Sequence, residues 1–65
     1  MNWDQIKDNW DSVSRAILTT WGKLTEDDLT TISGRRDLLV SILQEKYAFT
    51  SVVAQSKVDQ FAHDL

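Results

Sequence analysis

The chain has 65 residues, a formal net charge of −3, and neither cysteine nor proline. That length gives room for one domain, residues 1–65, with a modest core, because chains of this size bury only about 60% of the surface they expose when unfolded. The lack of cysteine excludes disulfide staples, thiolate zinc sites and redox pairs, and the negative balance argues against a general binder of nucleic acid or of acidic membranes.

No apolar run approaches the roughly 18 residues of a membrane span, and the first residues lack the basic-then-apolar order of a secretory signal. A cytoplasmic protein without a membrane partner is therefore expected. Alternating strand patterns are absent, and apolar residues recur at helical spacing. In the first segment Trp3, Ile6, Trp10, Val13, Ile17 and Trp21 follow one another at steps of three and four. At 100° per residue they fall within an arc of roughly 80°, which predicts one continuous helix with a single buried stripe. Asn2 and Gln5 supply an N-cap and its capping-box partner, and Gly22 supplies a stop.

The second helix starts in the run Lys23-Leu24-Thr25-Glu26-Asp27-Asp28-Leu29. Thr25 fits the N-cap, Asp28 stands at the third helical position, and Leu24 with Leu29 matches a hydrophobic staple. Glu26, Asp27 and Asp28 lie where the positive end of a helix favours carboxylates. This helix is short and ends at Ser33-Gly34. The third, about residues 35 to 47, is apolar over more than half its circumference through Leu38, Leu39, Val40, Ile42, Leu43 and Tyr47, which predicts a central helix packed against several others. Thr50 is the candidate N-cap of the fourth, whose stripe is Ala54, Val58, Phe61 and Leu65. The pattern predicts an all-α fold, a small bundle of four helices arranged around the third.

Three stretches carry a family resemblance: Met1-Asn2-Trp3-Asp4-Gln5-Ile6-Lys7-Asp8-Asn9-Trp10, then Trp21-Gly22-Lys23-Leu24-Thr25-Glu26-Asp27-Asp28-Leu29, then Gly34-Arg35-Arg36-Asp37-Leu38-Leu39 running on to Tyr47. In this order and spacing the chain resembles the CsbD-like family of small bacterial proteins linked to general stress responses. The resemblance implies two helical hairpins packed crosswise, a SAM-domain-like architecture, in a cytoplasmic protein whose abundance rises under stress. It brings no catalytic residues and no cofactor. Two departures stand out. Family members often carry several lysines where this chain has Asp11-Ser12-Val13-Ser14-Arg15-Ala16, and a glycine where it has Ala48.

The polar clusters have both chemical and structural readings. Glu26, Asp27 and Asp28 are consecutive and point about 100° apart on a helix, so they cannot converge on one ion, and capping accounts for them. Gly34, Arg35 and Arg36 form a glycine turn feeding a helix start, the arrangement that could present backbone N–H groups and guanidinium groups to a phosphate. That defines the alternative reading, a weak nucleic-acid-binding module. The structural reading pairs the arginines with Asp37 or with acids of the second helix. The spacing of Trp3, Trp10 and Trp21 indicates core packing over base stacking. His63, the only histidine, reads as a solvated helix-end residue, and no serine or threonine stands in a nucleophile pattern. The expectation is a non-enzymatic protein with no metal or cofactor. Weak self-association through an uncovered face of the third helix is a third class.

Overall fold

The computed structural model describes residues 1–65 as five α-helices and no strand. They are α1 (Trp3–Asp8), α2 (Trp10–Thr20), α3 (Glu26–Ile32), α4 (Arg36–Tyr47) and α5 (Ser51–Asp64). The count exceeds the expected four because Asn9 breaks the first segment. Its φ of −111° and ψ of 31° leave the helical region, and its side-chain amide donates to the Gln5 carbonyl at 2.9 Å. Asparagine competes in this way for backbone partners, which weakens a helix from inside. The stripe survives the break: Ile6, Val13, Ile17 and Trp21 are all buried. Trp3 and Trp10 are half-buried and pack against that core from its edge.

The local start signals act as their sequence implies. Asn2 and Gln5 form a reciprocal capping box, as do Thr25 and Asp28, and the Thr50 side chain accepts from the Val53 N–H at 3.2 Å. Leu24 and Leu29 on either side of the α3 start are both buried. The α3–α4 turn runs through Ser33 at φ 45° and Gly34 at φ 81°. Gly34 is buried against α1, where an added Cβ would stand 2.8 Å from the Lys7 Cα. Both the backbone and the space therefore require glycine. Helix α4 ends at Ala48, which takes a left-handed φ of 56° without glycine's freedom.

Helix α4 lies between α3 and α5 and packs against both, which confirms its central place. Leu39 and Leu43 are fully buried, and Leu38, Ile42 and Tyr47 pack around the core. In α5 the buried positions are Ala54, Val58 and Ala62, one helical turn apart. Phe61 is half-buried, and Leu65 is exposed at 41%, so the expected stripe shifts toward Ala62 at its end. The thirteen buried hydrophobic residues make one cluster containing no polar side chain. The ammonium of Met1 donates to the Ala62 carbonyl at 2.9 Å, bringing the first residue to the last turn of α5.

Candidate functional site

The acidic run at the start of α3 is occupied with the helix itself. The Asp28 N–H donates to Thr25 Oγ1 at 3.2 Å, and the Thr25 N–H donates to Asp28 Oδ2 at 3.0 Å. Lys46 of α4 reaches the same carboxylate at 3.3 Å. The backbone N–H of Thr25 holds the Asp28 carboxyl below its ordinary range, with Lys46 adding to the effect against the opposing push of burial. Glu26 and Asp27 face solvent. No group of three histidine or acidic side chains comes close enough together to hold a metal ion.

Gly34, Arg35 and Arg36 are brought together but not into an open cradle. Gly34 is covered by α1, and the Arg35 N–H donates to the Ile32 carbonyl at 2.9 Å. Arg36 forks onto Asp59 of α5, with Nε to Oδ1 at 2.9 Å and Nη2 to Oδ2 at 3.1 Å. That pairing corrects the expectation of Asp37 or an α3 acid as partner; the acid of α3 that does pair takes Lys46 instead. Hydrogen bonding between the two groups raises the Arg36 pKa and lowers that of Asp59. Of the two arginines of this turn, Arg35 alone presents an exposed guanidinium outside any ion pair.

Several helical hydroxyls are also committed locally: those of Thr19, Thr20, Thr30 and Thr31 each donate to the carbonyl four residues earlier. His63 is exposed in the last turn of α5. The Trp10 indole N–H donates to the Leu29 carbonyl at 3.2 Å, tying α2 to α3.

One assembly has no counterpart in the sequence reading. Tyr47 and Phe49 stack with ring centroids 5.3 Å apart and planes 8° from parallel. The Lys23 ammonium lies 5.0 Å from the Tyr47 centroid, and the Lys57 ammonium lies 5.3 Å from that of Phe49. The Lys23 N–H also donates to the Tyr47 hydroxyl at 3.1 Å. Lys57 borders an open groove of about 460 Å³ shared with Thr20, Trp21, Gln60, Phe61 and Asp64. There the Trp21 and Phe61 rings meet at 5.1 Å, inclined by 50°. The members come from a loop, the end of α4, a turn and α5, so no local spacing could have announced them.

These features define a small all-helical protein with an apolar interior and its distinctive chemistry on the surface. The chain belongs to the UPF0337 family of bacterial proteins. It is 45% identical over 58 residues to UPF0337 protein ECA0631 of Pectobacterium atrosepticum, covering 89% of this chain and 84% of that one. It is 41% identical over 58 residues to UPF0337 protein YjbJ of Escherichia coli strain K12, with the same coverage of 89% and 84%. With UPF0337 protein NE2439 of Nitrosomonas europaea it shares 38% over 64 residues, 98% of this chain and 68% of that one. No family model and no solved structure matches the chain. No helix is long and apolar enough to cross a membrane.

Proposed function

We propose that this protein is a non-enzymatic, cytoplasmic stress-response protein of the CsbD-like type. The observation that carries the reading is the division between interior and surface. All thirteen side chains of the core are apolar, and the strongest polar contacts serve helix caps and inter-helix ion pairs. Catalytic acids, bases and nucleophiles are usually tuned by burial beside a specific partner, and here the perturbed carboxyls are accounted for by a capping box and two ion pairs. The reading includes a SAM-domain-like arrangement of crossed hairpins, of which α4 and α5, packed together across a short turn, would form one.

Protein abundance in the source bacterium, measured before and after osmotic and stationary-phase stress, tests the physiological part. An abundance that stays flat across these stresses refutes it. Complementation of a deletion strain tests the non-enzymatic part. Wild type and single variants at exposed polar positions, such as Asp27→Asn and His63→Gln, are expected to restore survival equally. Complete loss of function in such a variant, with its helical circular dichroism intact, would overturn the reading.

A further inference from the structure

We infer that α5 is a strap that swings open as a unit about the turn of Ala48, Phe49 and Thr50, and that the stack of Tyr47, Phe49 and Lys57 is the latch holding it shut. The turn is weakly held by its own backbone. Helices α1, α2 and α3 each end with a cap N–H bonded back to a carbonyl of the last turn. At the end of α4 no N–H of Ala48, Phe49 or Thr50 donates to an α4 carbonyl, so the bonds that usually close a helix are missing. Ala48 also takes a left-handed φ of 56°, a conformation that only glycine adopts freely. Side chains must therefore fix the direction in which the chain leaves α4.

The stack does this from both sides of the turn. Tyr47 is the fixed side, since its hydroxyl accepts from the Lys23 N–H and its ring carries the Lys23 ammonium. Phe49 lies parallel to Tyr47, and Lys57 in the second turn of α5 reaches back to 5.3 Å from the Phe49 centroid. Lys57 belongs to no ion pair, so the ring is where its charge is engaged. Helix α5 is also the long helix with the least apolar anchorage. It buries Ala54, Val58 and Ala62, whereas α4 buries Leu39, Val40 and Leu43. Less apolar area leaves water when α5 docks, and elements with little burial open ahead of the rest. Its remaining polar ties are the half-exposed Arg36–Asp59 pair and the Met1 ammonium on the Ala62 carbonyl.

Native-state amide hydrogen exchange on the full-length chain, read residue by residue by NMR, tests the inference. The amides of Val58 and Ala62 should exchange at one common opening, about tenfold or more faster than that of Leu43 in α4. Lys57→Gln should speed the α5 amides roughly two- to fivefold, the worth of a cation over an exposed ring, and leave Leu43 nearly unchanged. Lys57→Arg, which keeps the cation, should restore the wild-type rate, and Phe49→Leu should act as Lys57→Gln does. Thr25→Ala should do the reverse, speeding Leu43 about fivefold and leaving α5 unchanged, because α3 stays folded when α5 opens. The strap is refuted if α5 and α4 amides exchange together and respond equally to every variant. The latch is refuted if α5 opens separately but ignores Lys57→Gln and Phe49→Leu, or if Lys57→Arg opens it as far as Lys57→Gln.

Discussion

Replacing Ala48 by glycine should stabilise this protein, even though it removes a side-chain atom. Ala48 sits at φ 56° and ψ 29°, where an L-residue with a Cβ crowds the following carbonyl at about 1–2 kcal/mol. It is exposed, so the lost methyl group sacrifices no burial. Against this gain, glycine adds freedom to the unfolded chain, worth about 0.4–1 kcal/mol in the opposite direction. The difference is a net stabilisation of about 0.5–1 kcal/mol. For a domain of this length it should raise the melting temperature by roughly 2–8 °C. Thermal melts by circular dichroism, with urea unfolding as a second probe, measure it directly. Ala48→Val is the control: a β-branched residue at positive φ should lower the melting temperature. A lower midpoint for Ala48→Gly, with cooperative unfolding retained, would refute the left-handed termination of α4.

Thr25→Ala removes the α3 cap and should lower stability by about 1 kcal/mol in urea titration, with Asp27→Ala costing less. Gly34→Ala should be destabilising by more than about 1 kcal/mol, because it combines the φ of 81° with a Cβ 2.8 Å from the Lys7 Cα, and thermal melts will show it. Ile17 is fully buried, so Ile17→Ala should cost about 2–5 kcal/mol, whereas Trp10→Phe, which loses the bond to the Leu29 carbonyl, should cost about 0.5–1.5 kcal/mol; urea midpoints separate the two. The Asp28 carboxyl lies below its ordinary value of 3.8, so its contribution is fully present above that pH and is lost as pH falls through the lowered folded value. Asp28→Asn should therefore be less stable than wild type near neutrality, with the gap closing in acid.

What the sequence determined by itself is local. The capping pairs Asn2 with Gln5 and Thr25 with Asp28 act within one helical turn, and the short reach of a hydrogen bond makes such pairs legible as spacing. The apolar stripes were legible for the same reason, since helical geometry alone puts residues three and four apart on one face. Asn9 was within reach too, as a poor helix interior residue, but the unbroken stripe across it masked the break. Tertiary structure decided the rest. It gave Arg36 to Asp59, 23 positions away, and Asp28 to Lys46, and it left Trp10 half-buried at the edge of the cluster. It also stacked Lys23, Tyr47, Phe49 and Lys57 from separate parts of the chain. Those pairings depend on how the helices cross, and the crossing is set by how the whole core packs, which no single segment encodes.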